Sequence, residues 1–510
     1  MKRYWYSLLI VFAFISCNEN KFLEEQTFGL ISPADYFKTD EDLEKTVTAL
    51  YPYTNQLYRE TSTISGVMGG DDVTSWPTKN LWLEADVFAT SDENSHYANV
   101  WGVCYRMIKQ GNTIVELIDN FTEPADDPER LQGQKDLALG QAYFIRALAY
   151  FNLVRLWGEV PLVTAIDVNF DLEPAPSEVI FNFIVEDLKK AEVLLPVNFK
   201  RAKYATDTEK GTYYARPTSG SAKSLLASVY LTMAGYPVND ASYYALAAEK
   251  AKEVIDNEAK YGYELLPIDQ LWKYANNLNN ETVFGCYYNL AIGDSHNYTM
   301  MAPLAHRPGD FGGWDDLFAE LTFFKEFPEG PRKDETFFTE GRLHPEDPLI
   351  TWENFQLKRP YYKKWLDVPG YDQNNLSENV GWKSDRTSMV IRYAEVLLTY
   401  AEAQAMSGGP NADAYEAINR VRRRAGLDDL QSGLSAEAFA HAVVDERKWE
   451  FAGAEPNARW FDMLRTQTIE SATAKRDPNE YNLAQDPTEA NYYLPIPLGD
   501  ALLNNNLINK

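Results

Sequence analysis

The sequence predicts an all-α fold, because apolar side chains recur at helical spacing over most of its 510 residues. In residues 135–157 these side chains form two adjacent stripes, which together make an apolar face wide enough for a helix packed on two sides. The stripes consist of Tyr143, Ala147, Tyr150, Val154 and Trp157, and of Phe144, Leu148 and Phe151. Gly158 and Pro161 follow directly and end this helix.

The other periodic segments come in consecutive pairs, in which small and large apolar residues alternate. We predict four such pairs, which resemble tetratricopeptide repeats of irregular spacing. The pairs are 42–58 with 97–120, 135–157 with 177–195, 219–234 with 243–257, and 388–407 with 412–425. Because each helix must bury its apolar stripe against a neighbour, the four pairs predict a helical scaffold.

Two irregular stretches interrupt this scaffold. Residues 261–385 are rich in Gly, Pro, Asn, Trp and Tyr and show little periodicity, and residues 67–94 form a shorter stretch of the same kind. A long irregular segment inside a compact protein usually carries function. We therefore expect the ligand site in these two stretches.

Composition limits the class of ligand. The formal net charge is -27, and so acidic a surface repels phosphate backbones and disfavours nucleic-acid binding. The chain holds 32 Tyr and 12 Trp, whose rings fill cores and also stack on sugar rings. The composition therefore permits glycan binding without identifying it.

The N-terminus has the composition of a secretory signal. Lys2 and Arg3 precede an apolar run at 8–15, which is shorter than the roughly 20 residues of a membrane span. A small residue then precedes Cys17, as at a lipoprotein cleavage site. We expect Cys17 to become the lipidated N-terminus; the alternative is an ordinary signal peptide with an incidental cysteine.

Two further cysteines, Cys104 and Cys286, lie far apart in the chain. Two distant cysteines make no disulfide framework. We expect two buried free thiols rather than a bridge.

Several motifs, in a fixed order, resemble those of the RagB/SusD family. Residues 151–163, FNLVRLWGEVPLV, are the most recognisable of them, and the closing LPIP at 494–497 is another. The remaining motifs are FLEE at 22–25 with DYFKT at 35–39, RPT at 216–218, RYAE at 392–395 with AEA at 401–403, and INRVR at 418–422 with RAGL at 424–427. The segment 446–462 has the family's ends, but its middle, residues 453–458, departs from the family pattern because it is altered and longer.

The resemblance implies an all-α, SusD-like fold with four tetratricopeptide-like helix pairs and loops above them. It implies a non-catalytic lipoprotein on the cell outer membrane that captures glycans and passes them to a SusC-like TonB-dependent transporter. The corresponding segments are a signal peptide at 1–16, a lipidated tether at 17–40, an N-terminal helical half at 41–260, an irregular ligand-binding insertion at 261–387 and a C-terminal half at 388–510.

Sugar binding needs aromatic faces for the rings and planar polar groups for the hydroxyls. Candidates for both stand in the two irregular stretches, where the family's sugar contacts also tend to lie. We predict as glycan-binding residues Asp72, Trp76, Asn80, Trp82, Tyr298, Arg307, Asp310 and Trp314. Trp314 follows Gly312 and Gly313, and these glycines would let its ring project into solvent.

Three alternatives remain open. A helical glycoside hydrolase or lyase would need a carboxylate pair, and the available acids are Asp71, Asp72, Asp310, Asp315 and Asp316. A binding protein for peptides or glycopeptides, and a scaffold that binds only protein partners, would show the same helical pattern. The ordered charges at 392–462 favour salt bridges between packed helices over catalysis.

No cofactor is predicted. The 5 His residues form no metal-binding motif. The aspartate pairs at 71–72 and 126–127 could hold a structural calcium ion, but solvated loop charge explains them more simply.

Overall fold

The computed structural model describes residues 37–507, except 68, 77–79, 168, 170, 294–295, 298–302, 378–382, 454 and 457–458. The signal peptide, Cys17 and Tyr298 lie outside the described residues.

Helices make up most of the described chain. In order they are α1 Asp40–Thr48, α2 Leu50–Val67, α3 Asn80–Asp86, α4 Ser95–Leu117, α5 Pro128–Trp157, α6 Ser177–Leu194, α7 Asp207–Gly211, α8 Ser219–Ala234, α9 Tyr243–Ile255, α10 Glu258–Tyr261, α11 Ile268–Leu271, α12 Leu321–Glu326, α13 Pro331–Thr336, α14 Tyr393–Gly408, α15 Ala412–Arg424, α16 Ala436–Glu450, α17 Arg459–Thr466, α18 Ile469–Thr473 and α19 Leu498–Ala501. The predicted mostly helical class is confirmed.

The long helices form one continuous scaffold. Helix α2 packs on α4, α4 on α5, α5 on α6, α6 on α8, α8 on α9, and α9 on α14, which also contacts α15 and α16. The two members of each predicted pair are therefore neighbours in space.

Helix α5 is the central helix of this scaffold. It begins with Pro128 at its first position, and the side chain of Asp127 caps it by accepting a hydrogen bond from the Arg130 N–H at 3.0 Å. In the described part of the chain it is the one helix long and apolar enough to cross a membrane, but 89% of its most apolar stretch is buried inside the protein. It is therefore a core helix, as the double stripe predicts.

Two predicted helix boundaries are wrong. The helix expected at 42–58 is two helices, α1 and α2, that meet at Ala49. Pro52 accounts for the break, because proline has no N–H and its ring crowds the carbonyl of Thr48 four residues earlier. The helix expected to begin at Ser388 begins at Tyr393, since Ser388–Arg392 is a fully buried strand.

Short strands connect the irregular stretches, and the all-α prediction did not include them. They are β1 Val73–Thr74, β2 Val160–Pro161, β3 Pro174–Ala175, β4 Thr282–Cys286, β5 His296–Asn297, β6 Phe318–Ala319, β7 Phe337–Phe338, β8 Glu340–Gly341, β9 Ile350–Thr351, β10 Tyr361–Tyr362, β11 Lys383–Ser384 and β12 Ser388–Arg392. The antiparallel pairs are β1 with β6, β2 with β3, β4 with β12, β5 with β11, β7 with β10 and β8 with β9. Most are two residues long, too short to show an alternating pattern in sequence.

The described residues bury two hydrophobic cores. The large core joins the scaffold helices. The small core belongs to the insertion and consists of Phe311, Phe318, Phe338, Phe355, Tyr361, Leu366 and Leu376. The insertion therefore has an interior of its own, which lets it hold a fixed shape above the scaffold.

Cys104 and Cys286 are both buried thiols outside any disulfide of the described chain, as predicted. The Cys286 Sγ lies 3.6 Å from the backbone oxygen of Thr54.

A buried cluster of charges, which we call the ion network, joins the insertion to the scaffold. At its centre Arg392 is only 2% exposed, and its guanidinium contacts Glu281, Glu450 and Glu455 at 2.7–2.8 Å. The network comprises the cations Arg332, Lys364, Arg392 and Arg424 and the carboxylates Glu281, Glu446, Glu450 and Glu455. The prediction that the charges at 392–462 form salt bridges is confirmed for Arg392, Glu402, Arg422, Glu446, Arg447, Arg459 and Asp462.

Gly453 and Glu455, two described residues of the altered stretch 453–458, lie at this same junction. Gly453 has a φ of 89°, and a Cβ there would collide with the ring of Tyr362. Its carbonyl oxygen accepts a hydrogen bond from Trp365 Nε1 at 2.9 Å, and Glu455 pairs with Lys364 at 2.7 Å. The altered segment therefore helps to fasten the insertion to the scaffold.

Candidate functional site

The two irregular stretches meet at the sheet of β1 and β6. Val73 lies opposite Ala319 and Thr74 opposite Phe318. Next to this pairing, the Ser75 hydroxyl donates to the backbone oxygen of Asp316 at 2.7 Å. The junction places Trp76 in the chain segment that adjoins the Trp314 loop, which sequence distance alone does not reveal.

The small core carries a rim of large aromatic side chains. Trp76, Trp352 and Tyr371 are half-buried and pack against this core. Aromatic rings held in this way keep one side on a rigid base and offer the remainder to solvent. Such a rim suits the stacking of flat sugar rings.

The Trp314 loop, residues 304–317, is tightly folded. The Trp314 N–H donates to the Leu304 oxygen at 2.8 Å, and the Leu317 N–H donates to the Ala305 oxygen at 3.1 Å. Gly313 packs so closely that a Cβ on it would collide with the carbonyl of Arg307. Trp314, half-buried, is therefore held by the backbone on both sides of it.

Carboxylates hold the same loop in place. Asp315, at a φ of 53°, accepts hydrogen bonds from the Gly309 N–H at 2.6 Å and the Tyr361 hydroxyl at 2.5 Å. Burial raises the pKa of Tyr361, and the charge of Asp315 raises it further. Asp310 is exposed and accepts from the Gln356 N–H at 2.9 Å. We call the rim and the Trp314 loop together the loop face.

Known proteins share this architecture. The model of the SusD family matches residues 351–510, and the model described as starch-binding associating with outer membrane matches residues 21–231. A SusD-like protein of Formosa agariphila is 27% identical and spans 100% of this chain and 99% of its own. The chain belongs to the SusD/RagB family. The second model's description associates the family with the outer membrane.

Solved structures of the SusD superfamily show the same fold. One from Parabacteroides distasonis has a TM-score of 0.74 at 26% identity, covering 91% of this chain and 98% of its own. A further solved structure, with a xylogluco-oligosaccharide, shares this fold with a TM-score of 0.71 at 22% identity, covering 92% of this chain and 98% of its own.

Two of the predicted sugar contacts, Asp72 and Arg307, have buried side chains that bond to other parts of the chain. Asp72 is 1% exposed, and its carboxylate accepts a hydrogen bond from the Gly453 N–H at 3.0 Å. The guanidinium of Arg307 is buried as well and donates to the backbone oxygen of Leu376. Both polar groups are used to hold buried backbone groups, and an unpaired buried group would be costly.

The other candidates lie in different places. Trp76, Asp310 and Trp314 lie on or beside the loop face. Trp82 packs against the scaffold core and against His96, with ring centroids 4.4 Å apart. The side chain of Asn80 lies outside the described residues, as Tyr298 does.

The acids that an enzyme would need are held by other groups. Asp71 forms ion pairs with Arg459 at 3.0 Å and Lys448 at 3.4 Å. These cations outweigh burial and lower the pKa of Asp71. Asp315 and Asp310 accept the hydrogen bonds described above. This arrangement suits loop support.

The candidate calcium ligands also have protein partners. Asp71 faces two cations, and Asp127 caps helix α5. Across the residues that the structure describes, no group of three or more His, Cys, Asp or Glu side chains is placed to hold a metal ion.

Replacing Asp72 with asparagine should change how stability depends on pH. Burial raises the pKa of Asp72 to about 7, from its ordinary value of 3.8. The folded protein therefore binds a proton that the unfolded chain releases, so this residue's contribution to stability is full below about pH 4 and is lost as pH rises through 7. An asparagine side chain stays neutral throughout. The free energy of unfolding of Asp72→Asn, relative to the natural chain, should rise by on the order of 3 kcal/mol between pH 4 and 8.

Urea unfolding followed by circular dichroism at several pH values measures this difference. Asp477→Asn is the matched control, because hydrogen bonds from Lys325 and Asn479 lower the pKa of this surface aspartate. A difference between Asp72→Asn and the natural chain that stays constant across the range would contradict the assignment.

Sequence reasoning misses part of the loop face. The sequence pattern assigns neither Trp352 nor Tyr371 to a site, yet both pack on the small core beside Trp76. The available signal is the concentration of aromatic residues in the insertion, but it does not say which rings share a face.

Proposed function

We propose that this protein is a non-catalytic glycan-binding lipoprotein that captures oligosaccharides or polysaccharides on the loop face. The observation that carries the proposal is the joining of both irregular stretches at β1 and β6, which gathers half-buried aromatic rings on one rigid base. Trp76 and Trp314 are the proposed stacking residues, and Asp310 the proposed hydroxyl acceptor. Family membership supports this role, since a protein of the same fold was solved with a xylogluco-oligosaccharide.

The proposal extends to location and partner. Cys17 would carry the lipid anchor on the outer-membrane surface, and the helical scaffold would contact a SusC-like TonB-dependent transporter. The description of the matching model as outer-membrane-associated supports the location. The scaffold supports the partnership, because its continuous helices leave the loop face available for ligand.

Affinity electrophoresis against a broad polysaccharide panel tests the capture role. We expect one class of polymer to retard the purified mature chain, with no reducing sugar released. The changes Trp76→Ala and Trp314→Ala should remove the retardation, while Trp82→Ala, the matched control packed on His96, should keep it. Released reducing sugar would favour a hydrolase, new unsaturated ends a lyase, and retention by peptides alone a peptide-binding role.

A further inference from the structure

A second cleft lies on the helical scaffold, apart from the loop face. It has a volume of about 370 Å³, which is within the range of small-molecule sites. Four separate chain segments form it: the turn around Lys200, the Tyr213–Ala215 turn, the end of α10 with Tyr263, and residues 278–287. No residue of the loop face lines it.

The cleft is rich in tyrosine. Tyr213, Tyr214 and Tyr287 form a continuous row, with ring centroids 5.6 Å and 4.9 Å apart. Elsewhere in the lining, the rings of Tyr261 and Tyr263 stack with their centroids 5.4 Å apart. Tyr213 and Tyr214 are 37% and 38% exposed, which is unusual for two adjacent large rings and indicates a surface for contact.

The charge of the cleft is opposite to that of the whole protein. The chain has 75 acidic and 48 basic residues, yet the described residues that line this cleft include Lys200, Arg201 and Arg216 and no Asp or Glu. Arg216 is compensated, because it is buried beside Glu209 and donates to Gln141. Lys200 and Arg201 are exposed and form no ion pair within the described chain, so they give the cleft its positive charge.

We infer that this cleft is a second saccharide site, selective for a sugar that carries an anionic group. The tyrosine row would stack on the sugar ring. Lys200 Nζ lies 5.3 Å from the centroid of the Tyr213 ring, so its positive charge is beside this row. Arg201 and Lys200 would pair with a carboxylate or a sulfate ester. Asn198 Nδ2 and Asn280 Oδ1 would bind hydroxyl groups, since the other ends of these two amides already bond to the Lys200 N–H and to Glu264. The inference depends on the proposed function only in that the ligand is a saccharide.

Isothermal titration tests the cleft with three probes: oligogalacturonate, a sulfated carrageenan oligosaccharide, and a neutral xylogluco-oligosaccharide. We expect an anionic probe to bind, and to bind more weakly at high salt than at low salt because salt screens the pairing. Tyr213→Ala/Tyr214→Ala and Lys200→Glu/Arg201→Glu should each weaken its binding at least about tenfold. The carboxylated and sulfated probes distinguish the two sources of negative charge.

The controls separate this site from the loop face. Lys109→Glu/Lys475→Glu changes the net charge equally on exposed lysines outside the cleft and should leave binding intact. Trp76→Ala/Trp314→Ala should also leave it intact. Two results would overturn the inference while sparing the proposed function. In the first, binding of the anionic probe depends on those tryptophans and not on the cleft. In the second, the neutral probe binds normally and no anionic probe binds. If the cleft variants kept their affinity for the anionic probe but lost association with a membrane partner, the inference would be overturned in favour of a protein contact.

Discussion

Replacing Arg392 with alanine is expected to lower the free energy of unfolding by about 3–5 kcal/mol, the cost of breaking a buried ion cluster by removing one member. The change leaves Glu281, Glu450 and Glu455 without their shared partner. Burial alone would raise the pKa of Glu450, but the charges of Arg424 and Arg392 hold it well below its usual value. Urea unfolding at pH 7, followed by circular dichroism, measures the loss.

Arg423→Ala is the matched control for this change. Arg423 also pairs with two carboxylates, those of Glu416 and Asp429, but its side chain is 48% exposed. Water and salt screen an exposed pair, so this variant should unfold close to the natural chain. Equal losses in both variants would contradict the claim that burial gives the ion network its large effect.

Replacing Gly313 with alanine is expected to weaken glycan binding at least about tenfold. The new methyl group would collide with the carbonyl of Arg307 and force the Trp314 loop open. Since the Trp314 N–H is bonded to Leu304, the displacement should reach the ring that we propose as a sugar contact. Titration of the oligosaccharide found by the screen measures the effect.

Gly312→Ala separates this collision from general loop strain. Gly312 has a φ of 77°, where alanine costs about 1 kcal/mol, but a Cβ there meets open space. We expect this variant to lose some thermal stability and to bind within about threefold of the natural chain. If Gly312→Ala abolished binding and Gly313→Ala did not, close packing behind Trp314 would not be what positions it.

The scaffold was predictable from sequence because its helices are long and periodic. Every member of the four predicted pairs packs on its partner. The errors arose where local chemistry overrides a pattern. Pro52 divides the first helix, and Ser388–Arg392 forms a strand because β4 lies beside it, a contact that no local pattern reveals.

The sequence predicts a region for the candidate site, but it does not predict the exposure of each residue there. Composition pointed to both irregular stretches, and Trp76 and Trp314 do lie where those stretches join. Asp72 and Arg307 have the right chemistry for sugar, but in the folded chain Asp72 accepts from the Gly453 N–H and Arg307 donates to the Leu376 oxygen, so both satisfy buried backbone groups. The exposure of a side chain decides whether it can bind sugar or supports the backbone, and exposure is a property of the folded chain.

The tyrosine cleft shows the same limit more strongly. Tyr213 and Tyr214 are adjacent in sequence, but Tyr261 and Tyr287 come from later segments. The positive charge of the cleft could not be predicted either, because the whole chain has a net charge of -27. Whole-chain charge therefore predicts solubility and not the potential of one cleft.

The most direct test of glycan capture is calorimetric titration of the oligosaccharide that the panel selects into the natural chain, Trp76→Ala, Trp314→Ala and the double variant. The account predicts that each single change weakens binding at least about tenfold, that the double variant shows no binding, and that melting temperatures stay close to that of the natural chain. Unchanged affinity in both single variants would contradict the assignment of the loop face as the glycan site.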